Sequence, residues 1–354
     1  MHIVLIHQYF LGPGQGGASR FNTMVDVWRA EGCDVTVVAG QVHYASGART
    51  GSARSFEERT PGGARVLRVF TPDTWRASMA GRALSFVGFA ASASAALLTL
   101  SGVDVVVATS PSLLAWVPGV LATWARGWPL VVDVRDLWPE SAVSMGVLKE
   151  RSAVTRALYA LEAWSYASAE RIVTVTPAMR LDIIGRGLAR RADVEVITNG
   201  AEPRMLEVPG ASELASVRRR HGWGDRFVVL YAGAHGLANG LDQWIDAAEH
   251  TRGDERILWV AIGDGPERPR LIARSERMAL TNVQWLPAVS RDEIPAYIHA
   301  ADAGAVVLRD VPTFRTVYPN KLFDTMAAGK PVVCAVAGAA AELVSVSGSG
   351  FDGR

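Results

Sequence analysis

Apolar and polar positions along the chain follow two alternating rhythms. Short β-branched runs predict strands at Ile3–His7, Val35–Ala39, Arg65–Phe70, Val103–Thr109, Leu130–Val134, Arg171–Thr176 and Val194–Ile197. Several are almost unbroken apolar runs, as expected of parallel strands covered on both faces. Between them, Ala18–Glu31, Ser112–Arg126 and Val154–Ala169 carry helical spacing. Turn residues replace the pattern over Asn199–Gly210, which predicts a hinge. A second series follows, with strands at Phe227–Tyr231, Ile257–Ile262, Val283–Trp285, Ala305–Leu308 and Pro331–Val336. The expectation is α/β: two doubly wound, Rossmann-like domains, 1–203 and 204–354, with a ligand cleft at the carboxyl ends of their sheets. The Gly- and Arg-rich segment Val42–Gly63 is expected to be a mobile loop.

At 354 residues, 49% hydrophobic and 20% charged, the chain can bury two ordinary cores. A formal net charge of +1 and the absence of a basic-aromatic platform among its scattered tryptophans argue against a nucleic-acid partner. The only lysines are Lys149, Lys321 and Lys330. Cys33 and Cys334 stand far apart with no disulfide framework or metal-ligand spacing, which fits a reducing cytoplasm. The first ten residues have no basic leader and read as a buried strand. Ala83–Val103 lacks charge over a length able to span a bilayer, but it is rich in Ala, Ser and Gly. A packed helix, or one facing a membrane with Trp75, Arg76 and Arg82 at its edge, fits better than a transmembrane span.

The strongest candidate chemistry lies in Val317–Val333, VYPNKLFDTMAAGKPVV. Pro319 and Asn320 open a helix, and Lys321 sits in its first turn. A cation there works against a helix dipole worth about 0.3–1 kcal/mol to an anion. The arrangement makes sense with an anion bound above Lys321 and the free N–H groups. Asp324 follows one turn on, and the helix ends at Gly329. Two strand–turn–helix loops recur in the same half: Gly233-Ala234-His235-Gly236, and Gly263-Asp264-Gly265. Both could present N–H groups to phosphates, although tight turns use glycine anyway and a turn histidine is often incidental. In the first half, Gly12-Pro13-Gly14-Gln15-Gly16-Gly17 precedes a helix carrying Arg20. Gly14, Gly16, Gly17 and Arg20 are candidate phosphate or acceptor contacts, or else a ligand-free loop and a solvated arginine. The strand LVVDV runs into Arg135-Asp136-Leu137-Trp138-Pro139-Glu140, which places Asp133, Arg135, Asp136 and Glu140 near a strand's carboxyl end. They are candidates for the reaction centre or acceptor side, or for an ion pair that holds a loop.

Taken in order, HQYFLGPGQGGASRF, VVDVRDLWPES, YAGAHGLANGLD, IGDGPERPRL, AYIHAADAGAVVL and YPNKLFDTMAAGKPVV resemble glycosyltransferase family 4, of the GT-B fold. The nearest likeness is to its N-acetylfucosamine-transferase-like branch. The resemblance implies a retaining transferase taking a sugar from a nucleotide diphosphate, usually UDP, without a metal or other cofactor. The transferred sugar would be an N-acetylated hexosamine or 6-deoxyhexosamine. The acceptor would be a lipid-linked or other saccharide in bacterial surface polysaccharide synthesis. The setting would be cytoplasmic, with a possible partner in the inner membrane surface. The C-terminal domain would hold the donor and the N-terminal domain the acceptor. Catalytic roles would fall to Asp136, Arg135 and Lys321. Donor contacts would come from Gly233, His235, Gly236, Gly263, Asp264, Arg315, Asn320, Lys321 and Asp324. Family members carry two glutamates eight residues apart; here those positions are Thr316 and Asp324. A usual arginine–lysine pair aligns with Ala234 and Asn239, so Lys321 with Arg315 is expected to replace that clamp. Relative to the family, the C-terminal domain looks incomplete, which leaves an inactive nucleotide-sugar-binding paralogue as an alternative. A nucleotide-sugar 2-epimerase using Asp136, Glu140 and His235 is the third reading.

Overall fold

The computed structural model describes residues 1–12, 20–43, 47, 49–51, 54–74, 79–110 and 112–352. Gly14, Gly16, Gly17, Trp75 and Arg76 lie outside the described residues. The chain divides into two compact units that part between Thr198 and Asn199.

In the first unit the strands are β1 (His2–His7), β2 (Asp34–Ala39), β3 (Phe56–Arg59), β4 (Arg65–Arg68), β5 (Val105–Thr109), β6 (Leu130–Val134), β7 (Arg171–Thr174) and β8 (Val194–Val196). They form one sheet in the order β3-β4-β2-β1-β5-β6-β7-β8. The helices are α1 (Arg20–Ala30), α2 (Met79–Leu98), α3 (Val117–Arg126), α4 (Glu140–Ser144), α5 (Ala153–Ser168) and α6 (Pro177–Gly185). Every pairing is parallel except β3 with β4. The central strands β1 and β2 are buried along almost their whole length, which explains why their sequences show no polar alternation.

Strand β3 corrects the expectation of a loop throughout 42–63. Its sequence FEER alternates partly covered and exposed positions and pairs antiparallel with β4. Charge pairing offsets its weak apolar content: Glu57 meets Arg65 at 2.9 Å and Glu58 meets Arg68 at 2.8 Å. Helix α2 buries Ser85, Phe89, Ala93 and Leu97, one stripe at four-residue spacing. Its opposite side leaves Leu84, Val87 and Leu98 in solvent. Ala80–Leu98 is long and apolar enough to cross a membrane, and only 28% of it is buried, less than a core helix of a soluble domain would show.

The second unit holds β9 (Phe227–Ala232), β10 (Ile257–Ile262), β11 (Val283–Leu286), β12 (Ala303–Val307), β13 (Val332–Ala335) and β14 (Gly350–Asp352). Its sheet, in the order β11-β10-β9-β12-β13-β14, is parallel throughout. Helices α7 (Ala211–Arg220), α8 (Leu241–His250), α9 (Arg268–Arg277), α10 (Ile294–Ala300), α11 (Asn320–Ala327) and α12 (Ala339–Ser347) accompany it. Alternate residues of β9 enter opposite cores: Val228 and Leu230 pack with Trp223 and Tyr297, whereas Val229 and Tyr231 pack with Trp244 and Trp259. Three of the tryptophans that look scattered in sequence gather here, with Trp244 5.8 Å from Trp259 and 5.3 Å from Trp285.

Strand order reverses beside β9, which has β10 on one side and β12 on the other. In the first unit the same happens at β1, flanked by β2 and β5. In open α/β sheets, ligands bind outside the carboxyl ends of the strands at such a point.

Candidate active site

In the second unit the reversal point is built from two interlocked turns and one helix start. Gly233 leaves β9 with φ +153° and Gly263 leaves β10 with φ +148°. Gly233 N–H donates to the Ile262 carbonyl at 3.0 Å, and His235 N–H donates to the Asp264 carbonyl at 2.9 Å. A Cβ on Gly263 would lie 1.9 Å from the Gly233 carbonyl oxygen, so only glycine lets the two turns touch there. A Cβ on Gly265 would likewise lie 2.5 Å from the His235 carbonyl oxygen. Asp264 is exposed and its Oδ1 accepts from the Gly265 N–H at 2.8 Å.

Lys321 enters from the first turn of α11, which Pro319 precedes. Its Nζ lies 3.8 Å from the centroid of the Tyr231 ring and donates to Asn239 Oδ1 at 3.4 Å. It also lies beside Gly233, where an added Cβ would come within 3.1 Å of it. No carboxylate pairs with Lys321 among the described residues, and burial pulls its pKa down to about 7. The ring face of Tyr231 partly compensates the cation. That tyrosine donates to the Ala234 carbonyl at 2.8 Å, so it also braces the first turn.

His235 lies fully buried beneath these turns, its ring 5.9 Å from Tyr231 and 5.5 Å from Trp285. Neither ring nitrogen has a hydrogen-bond partner. Burial first, then Arg268 and Lys321, push its pKa down to about 4, so it is a neutral ring at physiological pH. Gly236 lies beside Asn239. Asn320 opens α11, and its residue is exposed. Arg315 pairs with Asp310 at 2.9 Å, both largely in solvent. Asp324 meets a partner from the chain entering the unit: it accepts from the Glu202 backbone, near the Glu202 and Arg291 side chains. Burial first, and then the Glu202 charge, raise its pKa to about 7. Glu202 itself holds Arg291 at 2.6 Å and Arg204 at 3.2 Å. Sequence reasoning passed over Tyr231, Glu202 and Arg291. The aromatic at the end of β9 offered a signal, whereas Glu202 and Arg291, 89 positions apart, offered none.

In the first unit the charges at the end of β6 come together with α1. Arg20 meets Asp133 at 3.5 Å and donates to the Thr198 and Ile197 carbonyls at 2.7 and 3.1 Å. Asp133 is buried and accepts from Thr109 Oγ1 at 2.8 Å. Desolvation raises its pKa against the pull of Arg20 and Arg135. Arg135 donates to the Ser110 carbonyl at 2.9 Å and stacks over Phe21. Asp136 accepts from Ser141 Oγ at 3.1 Å, and burial lifts its pKa to about 6. Glu140 accepts from the Tyr159 hydroxyl. His7, at the end of β1, is a further member that sequence reasoning did not single out. It is buried, its Nδ1 has no partner, and burial followed by the Arg135 charge holds its pKa well below the usual histidine range. Among the described residues no group of three or more His, Cys, Asp or Glu side chains could hold a metal ion.

Two Rossmann-like α/β units joined in one chain, each with a strand-order reversal, form the GT-B architecture of glycosyltransferases. Residues 15–200 match the glycosyl transferase 4-like domain, and residues 226–351 match the glycosyl transferases group 1 domain. The chain belongs to this glycosyltransferase family. It is 24% identical over 336 residues to WcaI of Escherichia coli K12, named for glycosyl transfer in colanic acid biosynthesis; the match covers 92% of this chain and 81% of WcaI. It is 28% identical over 212 residues to TuaH of Bacillus subtilis 168, named for glycosyl transfer in teichuronic acid biosynthesis; that match covers 58% of this chain and 50% of TuaH. In fold it is similar to Anabaena HepE solved with UDP and glucose, with a TM-score of 0.71 and 20% identity, covering 99% of this chain and 84% of HepE.

Proposed function

We propose that this chain is a retaining glycosyltransferase of the N-acetylfucosamine-transferase-like branch. It moves an N-acetylated hexosamine or 6-deoxyhexosamine from a UDP-linked donor to a lipid-linked or saccharide acceptor in surface polysaccharide synthesis. The observation that carries the donor assignment is Lys321. It is a desolvated ammonium with no carboxylate partner among the described residues, beside two glycine turns at the strand-order reversal. A diphosphate supplies the missing counter-charge, and its developing negative charge on departure is what such a preformed cation stabilises. The UDP seen in HepE favours the same nucleotide here.

In this reading Lys321 and the N–H groups after Gly233 and Gly263 take the diphosphate, and Asp324 lies toward the ribose. His235 supports the turns from below, because its burial keeps it off the ligand. The first unit takes the acceptor, with Arg135 and Asp136 nearest the reacting hydroxyl. The leaving phosphate receives the acceptor proton, so no protein base is required. The exposed apolar stripe of α2 supports work at the inner face of the cell membrane. The 2-epimerase reading has less support, because His235 is fully buried beneath the turns and so is kept from a sugar.

Calorimetric titration with UDP, followed by incubation with UDP-N-acetylhexosamines and a lipid-linked saccharide, tests this. Micromolar UDP binding and a product retaining the donor's anomeric configuration are expected. A folded protein that binds no UDP refutes the assignment.

A further inference from the structure

The first unit contains a second polar feature that the donor chemistry leaves unused. A shallow, open cleft of ≈ 690 Å³ lies beside α4 and α5. Its lining has two chemically distinct parts. One part is a closed network. Glu162, 1% exposed, accepts from both terminal nitrogens of Arg186 at 2.8 and 3.0 Å, and Asp182 takes the Nε of the same arginine at 2.7 Å. Next to it, Glu140 holds the Tyr159 hydroxyl. The other part comprises Glu150, Arg151 and Arg156, all exposed. Neither arginine forms an ion pair among the described residues.

The lining therefore sets two guanidinium groups against one carboxylate on the outer part, and two carboxylates against one guanidinium on the inner part. Guanidinium forks match the oxygens of phosphate and carboxylate. Glu140 with Tyr159 offers an acceptor and a hydroxyl suited to sugar hydroxyls. The cleft starts at Glu140, four positions after Asp136.

We propose that this cleft binds an acidic part of the acceptor: a saccharide carrying a phosphate or carboxylate, held by Arg151 and Arg156, with its ring hydroxyls toward Glu140 and Tyr159. The proposal rests on the reading that the first unit takes the acceptor. It deepens that reading by giving the acceptor a negative charge.

The test is titration of the full chain with glucose 1-phosphate, glucuronate and glucose, followed by NMR, alongside an Arg151→Ala/Arg156→Ala variant and with UDP as a separate ligand. At least one acidic sugar should bind tenfold or more tightly than glucose. Which one does so distinguishes phosphate from carboxylate. The double variant should lose that preference while its UDP affinity stays within twofold of the parent. Both substitutions are at exposed positions, and an unchanged melting temperature verifies the fold. Equal binding of glucose and the acidic sugars, or acidic-sugar binding that survives the double substitution, overturns the proposal. Acidic-sugar binding lost in the variant, in a protein that ignores UDP, would uphold the cleft and refute the donor assignment instead.

Discussion

Replacing Lys321 with methionine keeps an unbranched stem against Tyr231 and removes only the ammonium. The magnitude follows from two features of its surroundings. The cation is desolvated before any ligand arrives, so donor binding does not bear that cost anew. A hydrogen bond to a charged group is then worth about 1.5–3 kcal/mol, which corresponds to roughly 10- to 150-fold in Kd. The second feature is protonation. With a pKa of about 7, the ammonium is mostly charged at pH 6 and mostly neutral at pH 8. Recharging it for an anion costs about 1.4 kcal/mol for each pH step above that value. UDP affinity of the parent should therefore fall by up to about tenfold per pH step above 7, until the pKa of the bound state is reached. The Lys321→Met variant should bind weakly and show no such slope from pH 7 to 9. Titration calorimetry at pH 6.5, 7.5 and 8.5 measures both quantities. A variant within twofold of the parent at pH 6.5, or parallel pH profiles, refutes the assignment of Lys321 to the donor anion.

Two further outcomes are expected. Asp324 has a folded pKa raised to about 7, so the folded state holds a proton that the unfolded chain releases from about pH 4 upward. Its contribution to stability falls as pH rises through that window and is lowest above 7. Asp324→Asn should flatten this slope and, after allowance for partial exposure, add about 1–2 kcal/mol at pH 8; urea denaturation at pH 5 and pH 8 reads both. Gly263→Ala sets a Cβ against the Gly233 carbonyl at a backbone angle suited to glycine. It should cost about 3 kcal/mol or more and weaken UDP binding with it, as measured by thermal melts with and without UDP; a variant as stable as the parent would show that the turns do not interlock.

Much of the architecture was legible because parallel strands covered on both faces write themselves as apolar runs. Strand β6 falls on the expected Leu130–Val134 and β10 on Ile257–Ile262. Strand β3 escaped because an edge strand stabilised by charge pairs has no apolar run to display. The placement of Lys321 was legible for a local reason: proline, asparagine and lysine at a helix start define their own geometry. Its surroundings were not. The Tyr231 ring beneath it and Asn239 beside it belong to other elements, and nothing in the spacing of residues 231, 239 and 321 announces that they meet. Asp324 shows the same limit. The sequence locates it one turn beyond Lys321, but its contact with Glu202 depends on how the chain enters the second unit.

The charged strand at one edge of the first sheet bears on how the protein behaves when crowded. A sheet ends in unpaired backbone groups onto which a neighbouring chain can zip. Here one edge carries Glu57, Glu58 and Arg59, and the strand at the other edge has an exposed Glu195 at its centre. An incoming strand would have to desolvate those charges to continue the ladder. Growth of the sheet from molecule to molecule is thus discouraged at both borders, and a mostly parallel sheet, slow to assemble and long exposed while it does so, gains a safeguard against joining its neighbours.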